Sequence, residues 1–179
     1  MLEDKLLIWK FRSGDSNALA RIYEKYKDAL LKIASGLLNQ NNAAEDIVHD
    51  VFVSLAKSYK SLKPDGNLRS FLAVCVANRA RNINKSGSRR QDLNVLEAES
   101  IPADSRQPDI WIIQNEELCK LNNALAELPY HQREVILLHV HGGMKFRAIA
   151  KSLNVSVNTV LSRYRYGLEK LRSLLNGQV

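Results

Sequence analysis

The chain has 179 residues, of which 45% are hydrophobic and 25% are charged, with only 8 glycines and 4 prolines. This composition excludes a disordered, collagenous or low-complexity protein and suffices for one or two small domains. The 26 lysine and arginine residues outnumber the 19 aspartate and glutamate residues, and the net charge of +7 favours an anionic partner such as nucleic acid or a membrane surface.

The apolar residues recur at intervals of three and four positions along almost the whole chain, which predicts an all-α protein. Between residues 86 and 108 this periodicity stops, and glycine, serine, charged residues and two prolines follow. We therefore predict two small helical domains, residues 1–86 and 113–179, joined by a flexible acidic linker at 87–112. The predicted helices, in chain order, are residues 4–12, 16–38, 43–59, 68–85, 113–127, 131–141, 145–153 and 156–175.

Several classes of function are not expected. No apolar run approaches the roughly 20 residues that span a bilayer, and the N-terminus lacks a signal-peptide pattern, so we expect a cytoplasmic protein without membrane insertion. No nucleotide-binding, hydrolase or metalloprotease motif occurs, and His139 and His141 lack a neighbouring carboxylate or cysteine, so we expect no enzyme, metal or cofactor. Small apolar packing roles are expected for Cys75 and Cys119, and packing anchors for Trp9 and Trp111.

The basic residues concentrate in two blocks, residues 63–92 and 145–172, on either side of the acidic segment. Within the second block, residues 145–165 have the pattern of a helix-turn-helix, because Asn154 fits a left-handed turn and Ser156 can cap the following helix. Small Ala150 stands where two helices would cross, and one apolar stripe predicted for the second helix includes Val157 and Leu168.

Such a second helix enters the major groove of DNA with its exposed residues. We assign Arg165 and Ser162 to base readout and Arg147, Lys151 and Arg163 to the phosphate backbone. The alternative is an ordinary charged surface on a helical hairpin. The full candidate set for this DNA contact is Arg147, Lys151, Asn158, Thr159, Ser162, Arg163, Arg165 and Tyr166.

Four segments, AEDIVHDVFVSL, LRSFLAVCVANRARN, ALAELPYHQREVILLHVHGG and IAKSLNVSVNTVLSRYRYGLEKLR, resemble the extracytoplasmic-function sigma factors of bacterial RNA polymerase. The resemblance spans nearly the whole chain, including the order of the segments and the linker. It implies a region 2 helical bundle at 1–86, which binds core polymerase and the minus-10 promoter element, and a region 4 helix-turn-helix at 113–179, which reads the minus-35 element. The implied partners are the clamp and flap regions of core RNA polymerase, promoter DNA and an anti-sigma factor, with a monomer when free.

The resemblance also implies a polymerase-binding helix at residues 43–59, which docks on a coiled coil of the clamp. Acids at the start of this helix favour the helix dipole and leave negative charge for a basic partner. The residues alone also fit a plain buried helix with a solvated acidic end. The matching positions are Glu45, Asp46, His49, Asp50, Phe52 and Val53.

The next helix, residues 68–85, matches the one that recognises the melted minus-10 element, and residues 62–67 match the loop that captures a flipped base. Cations and amides suit a single strand, although a solvated basic face is the alternative. Phe71, Leu72, Val74, Cys75 and Ile83 are expected on the buried side. The candidate DNA residues are Asn67, Arg69, Asn78, Arg79, Arg81, Asn82 and Lys85.

The sequence departs from the family pattern at several positions. Lys145 and Arg147 replace hydroxyl and acidic residues at the start of the first helix of the helix-turn-helix, which removes a cap. Leu161 and Tyr166 stand where basic residues are frequent, so the recognised upstream sequence is open. Two other functions remain: a stand-alone helix-turn-helix regulator, and a sigma-mimicking adaptor that sequesters an anti-sigma factor.

Overall fold

The computed structural model describes residues 2–38, 43–58, 67–94 and 116–177. Within these ranges all regular structure is helical, which confirms the all-α prediction. The helices are α1 Leu2–Arg12, α2 Ser16–Leu37, α3 Ala44–Lys57, α4 Leu68–Asn94, α5 Glu116–Ala126, α6 Tyr130–Val140, α7 Phe146–Leu153 and α8 Val157–Asn176.

The predicted end of the fourth helix at residue 85 is wrong, because α4 continues to Asn94. Residues 87–94 of the predicted linker are therefore helical. The added segment contains two arginines and a glutamine, which are good helix formers, and its single glycine costs only about 1 kcal/mol relative to alanine. The rest of the predicted linker, residues 95–112, lies outside the described residues.

Helices α1 to α4 form a first module around α2. Ile22, Leu30 and Ile33 of α2 are completely buried, and they repeat at helical spacing along one face. Asp15 begins α2 by accepting a hydrogen bond from the Asn17 amide. The Tyr26 hydroxyl donates to Asp4 over 2.6 Å, and this bond fixes α1 on α2.

The expectation that Trp9 is a packing anchor is wrong, because its side chain is 65% exposed. Leu7 and Phe11 bury the inner face of α1. Since each helical residue turns the chain by about 100°, Trp9, which lies midway between Leu7 and Phe11, points away from the core. Trp111 lies outside the described residues.

The buried residues of α4 follow helical spacing and are Leu68, Leu72, Ala73, Val76, Ala77 and Ala80. Ile83 was expected on this side but is 43% exposed. The buried face of α4 instead consists largely of small residues, which allow α2 and α4 to approach closely. Cys75 is half-buried, and burial raises the pKa of its thiol.

Helices α5 to α8 form a second module around α6, whose residues Val135 to Leu138 are all buried. The turn between α7 and α8 confirms two predictions. Asn154 ends α7 in the left-handed conformation, with φ 54° and ψ 48°, and the Ser156 hydroxyl begins α8 by accepting a hydrogen bond from the Thr159 amide over 3.0 Å. Ala150 is buried at the crossing, as expected.

Helix α8 packs on α6 through fewer apolar residues than the sequence pattern predicts. Val157 and Leu168 were expected in the buried stripe but are 36% and 39% exposed. The helices approach closely at buried Gly167, where an added Cβ atom would lie 2.8 Å from the Ile136 Cδ1 atom. This glycine lets α8 lie directly against α6.

The two modules pack against each other in one continuous hydrophobic core. Helix α6 lies on α2 and α4, and the Leu137 side chain fills the space over Gly36, where an added Cβ atom would lie 2.7 Å from Leu137 Cδ1. Beside it, buried Gly142 approaches Ala73 of α4. The two modules, which the sequence predicts to be joined by a flexible linker, are therefore in direct contact in this structure.

The left-handed turn gives a direct test of the helix-turn-helix geometry. We expect Asn154→Gly to leave the stability nearly unchanged, because glycine adopts positive φ readily. Asn154→Val should lower the free energy of unfolding by about 1–2 kcal/mol, because a β-branched side chain is strained at this φ. Urea unfolding followed by circular dichroism compares the two variants, and equal stability of both would contradict the assigned turn.

Candidate nucleic-acid interface

The exposed face of α8 is polar near its N-terminus. Asn158, Ser162 and Arg165 are all exposed and lie on the side opposite the buried Val160 and Gly167. Because an α-helix advances 3.6 residues per turn, these three side chains form one row over two turns. This row is the face that the sequence assigned to base readout.

Two of the predicted residues hold other contacts. Thr159 is half-buried, and its hydroxyl lies 2.8 Å from that of Ser156, so it supports the cap of α8. The Arg165 guanidinium donates to the Tyr166 hydroxyl over 3.2 Å and lies 3.9 Å from Glu169. Exposed pairs of this kind contribute at most about 1 kcal/mol, so Arg165 can exchange them for DNA.

Helix α7, which packs on α8, carries two of the predicted phosphate-binding cations. Arg147 and Lys151 are both exposed, as a contact to phosphates requires. Lys145 precedes α7 and makes no side-chain capping bond, which confirms the cap loss expected from the sequence.

An aromatic cluster holds α7 and α8 at a fixed angle on α6. The His139 ring stacks on Phe146 with centroids 4.5 Å apart, and both rings contact Tyr164 at 5.1 Å. His139 Nδ1 also lies 2.8 Å from the Met144 carbonyl oxygen. The cluster joins residues from α6, α7 and α8, so it orients the helix-turn-helix as a unit. His139 is thus a packing residue here.

The predicted DNA residues of α4 divide into two groups. Asn78, Asn82 and Lys85 are exposed. Asn67 instead caps α4, because its side-chain oxygen accepts a hydrogen bond from the Ser70 amide over 2.7 Å. Arg79 reaches α3, where it donates to the Ser54 hydroxyl over 2.7 Å and lies 3.8 Å from the Asp50 carboxylate.

Arg69 and Arg81 bind the second module. The Arg69 Nε atom donates to the His141 carbonyl oxygen over 2.8 Å. Arg81 forms an ion pair with Glu134, in which its Nη2 atom lies 2.5 Å from Glu134 Oε1. Two cations that the sequence assigned to DNA therefore hold α4 against α6.

The Glu134 carboxylate is the buried partner in this contact, since the residue is only 4% exposed. Burial raises the pKa of Glu134, while the hydrogen bond from Arg81 and the nearby charge of Arg163 oppose this rise. Sequence reasoning missed this residue. The signal was present, because Arg133 and Glu134 are two charged residues placed directly before the apolar run of α6, and buried charges require partners.

Around this ion pair lies an open cleft of about 610 Å³ between the modules. Lys85 and Arg81 line it from α4, and Arg163 lines it from α8. Cations assigned to the two promoter elements thus meet at one cleft in this arrangement.

The start of α3 presents the predicted polymerase-binding acids. Glu45, Asp46, His49 and Asp50 are exposed. Phe52 is only 6% exposed and packs edge-on against Tyr23 with ring centroids 4.9 Å apart, so it supports this surface from inside. Val53 is half-buried. Residues 59–66, which include most of the segment predicted to capture a flipped base, lie outside the described residues.

In the described part of the chain, no helix is long and apolar enough to cross a membrane. The same residues hold no group of three or more histidine, cysteine, aspartate or glutamate side chains that could bind a metal ion.

The Arg81–Glu134 pair predicts a pH-dependent stability. Arg81→Ala removes the bond that lowers the Glu134 pKa and leaves burial, which raises it. A carboxyl group with a raised pKa in the folded state loses stability as the pH rises through that pKa. We expect Arg81→Ala to lower the free energy of unfolding by about 1–3 kcal/mol at pH 8 and by less near pH 5.

Urea unfolding at both pH values measures this difference. The double variant Arg81→Ala, Glu134→Gln is the control, because it has no titrating carboxyl group at this site. An Arg81→Ala defect of equal size at both pH values would contradict the assigned pair.

Comparison with known proteins agrees with this geometry. The sigma-70 region 2 family model matches residues 22–90, and the sigma-70 region 4 model matches residues 120–171. The chain is 27% identical to the RNA polymerase sigma factor CnrH of Cupriavidus metallidurans, over 97% of this chain and 94% of that protein. It is 26% identical to the extracytoplasmic-function sigma factor SigW of Bacillus subtilis, over 96% of each chain.

Solved structures show the same fold. CnrH in complex with the cytosolic domain of CnrY superposes with a TM-score of 0.71 at 23% identity, covering 99% of both chains. The sigma factor RpoE of Bartonella quintana, in complex with the anti-sigma factor NepR, gives 0.67 at 24% identity, covering 88% of this chain and 96% of that one. Because two models of one family match both modules and the relatives span nearly the full chain, this protein belongs to the sigma-70 family as an extracytoplasmic-function sigma factor.

Proposed function

We propose that this sigma factor binds core RNA polymerase through the acidic start of α3, reads the minus-10 element with α4 and reads the minus-35 element with α8. The observation that carries the proposal is the helix-turn-helix, in which Ser156 caps a helix with an exposed polar face. Nucleotidyl transfer belongs to the polymerase. We assign region 2 to residues 1–86 and region 4 to 113–179.

At the upstream element, Arg165 and Ser162 are placed to meet base edges. Arginine can donate two parallel hydrogen bonds to guanine, and a hydroxyl can both donate and accept. Arg147 and Lys151 flank them on α7 and would neutralise phosphates, which supports affinity without reading sequence.

At the downstream element, Asn78, Asn82 and Lys85 form the exposed part of α4. Amide side chains can bond the edges of unpaired bases, and a cation attracts the backbone of the single strand. Arg69 and Arg81 would join them after their bonds to the second module are exchanged.

This exchange requires the modules to separate. Elements centred at positions −10 and −35 lie about 25 base pairs apart, or ~85 Å along B-form DNA at 3.4 Å per base pair. In the packed arrangement Arg81 and Arg163 line one cleft, so the two surfaces cannot reach both elements. We propose that polymerase binding supplies the free energy that opens the contact between α4 and α6.

The proposed partners are core polymerase at its clamp and flap regions, promoter DNA and an anti-sigma factor. Relatives that span nearly the whole chain are named RNA polymerase sigma factors, which supports the first two partners. The fold of a sigma factor solved with an anti-sigma factor supports the third. We propose that the protein acts in the cytoplasm and is monomeric when free.

Transcription in vitro from a fragmented genomic library tests the function. Core polymerase with this protein should give discrete start sites that core polymerase alone does not give. The aligned starts should share two upstream elements. Specific DNA binding by the free protein, with no polymerase-dependent starts, would instead favour the stand-alone regulator.

Two variants distinguish a residue that contacts bases from one that contacts phosphates at the upstream element. Arg165→Ala should weaken holoenzyme binding at the matched promoter by about 1–3 kcal/mol, because it removes a base contact. Lys151→Ala should weaken binding to all sequences equally and reduce the slope of log K against log salt by about one. Filter binding at several salt concentrations measures both, and identical behaviour of the two variants would contradict the assignment.

A charge reversal tests the polymerase-binding surface. Asp46→Lys should weaken binding to core polymerase at least tenfold, because it places a cation opposite a basic partner. Glu127→Lys is the matched control, since Glu127 is an exposed acid of the second module. Fluorescence titration of labelled protein with core polymerase measures the affinity. Equal loss in both variants would indicate long-range charge rather than docking at α3.

A further inference from the structure

Two aliphatic side chains are exposed near the start of α8, the helix proposed to read the minus-35 element. Leu161 is 42% exposed and Val157, one turn earlier, is 36% exposed. Both lie in the first two turns of the helix that Ser156 caps. Part of each aliphatic surface is thus left in water, and its burial against a partner outside the chain would be favourable.

Leu161 has polar as well as apolar neighbours along the helix. Asn158 lies three residues before it, Ser162 is adjacent and Arg165 lies one turn after it, and all three are exposed. Leu161 therefore lies along one side of the row proposed to meet base edges. Side chains three and four residues apart share one face of a helix, so the row enters the groove together.

The surrounding charge favours DNA over a protein partner for this face. Arg165 lies one turn after Leu161, and Arg147 and Lys151 stand on α7, which packs on α8; all three cations are exposed. An apolar side chain among cations is poorly placed for a hydrophobic protein interface, whose centre is depleted of charge. It is well placed in a major groove, where phosphates line both walls and bases form the floor.

The floor of the major groove offers one aliphatic group, the C5-methyl of thymine. We infer that Leu161 contacts a thymine methyl group in the upstream promoter element, with Val157 extending the same apolar surface. This inference rests on the proposed function and adds a specificity-determining residue to it. It gives the recognised sequence a requirement for thymine that the hydrogen-bonding residues do not supply.

Removal of single methyl groups from the promoter tests the inference. The upstream element of a promoter found by the genomic transcription assay is synthesised with deoxyuridine at each thymine in turn, which deletes the methyl group and retains base pairing. We expect at least one position at which the wild-type holoenzyme binds about three- to fivefold more weakly, the effect of one buried methyl group.

The Leu161→Ala holoenzyme should lose the response to methyl removal at that same position and keep its response elsewhere. Leu168→Ala is the matched control, because Leu168 is 39% exposed on the same helix but lies two turns farther from its N-terminus. This control should respond to deoxyuridine as the wild type does. Competition binding with the paired promoters gives the ratio for each protein.

Specific starts combined with an unchanged deoxyuridine response in Leu161→Ala would overturn the inference alone. The same holds if no thymine methyl affects binding of the wild-type holoenzyme. The absence of any polymerase-dependent start would overturn the proposed function, and the inference with it.

Discussion

The carboxylate of Glu134 lies at the contact between the two modules, and the arrangement of both DNA-binding surfaces depends on it. A carboxylate that is almost fully buried needs cations, and Arg81 supplies one directly from α4. Arg163 of α8 supplies a second positive charge nearby. Around this charge, Leu137 over Gly36 closes the apolar part of the interface. One buried acid thus connects the helices proposed for the two promoter elements.

The consequence is a protein whose DNA-binding cations have two alternative sets of partners. In the packed arrangement Arg69 and Arg81 bind a backbone carbonyl and a carboxylate of the second module. On a promoter they would bind an anionic strand instead. Since the hydrogen bonds are charge-assisted in both states, the free-energy difference between the packed protein and the DNA-bound protein can be modest. Contacts with polymerase can then decide which state is populated. Most of α8's recognition face, by contrast, is already exposed.

Sequence periodicity was enough to predict where the helices lie, because each helix buries one apolar stripe. The turn between α7 and α8 was predictable from local chemistry, because Asn154 and Ser156 act on the backbone next to them. The sequence analysis placed the end of α4 too early, and the other features that it missed depend on tertiary contacts. No local rule distinguishes Trp9 from a core tryptophan, since its exposure follows from which face of α1 meets α2. The ion pair between Arg81 and Glu134 joins residues 53 positions apart in the sequence. The composition of the segment between the two modules predicted only a flexible linker, and no contact between them.

The most direct test of this account is the distance between the modules in the free protein and in the holoenzyme. Fluorescent labels at Lys57→Cys and Ser173→Cys, both exposed sites at the ends of α3 and α8 opposite the acidic start of α3 and the N-terminal part of α8, would report it after Cys75 and Cys119 are replaced by alanine. Energy transfer should be high in the free protein and fall when core polymerase is added. Arg81→Ala should lower it in the free protein as well. Equally low transfer in the free wild-type protein and the holoenzyme would show that the modules do not pack together, and would contradict the central role of Glu134.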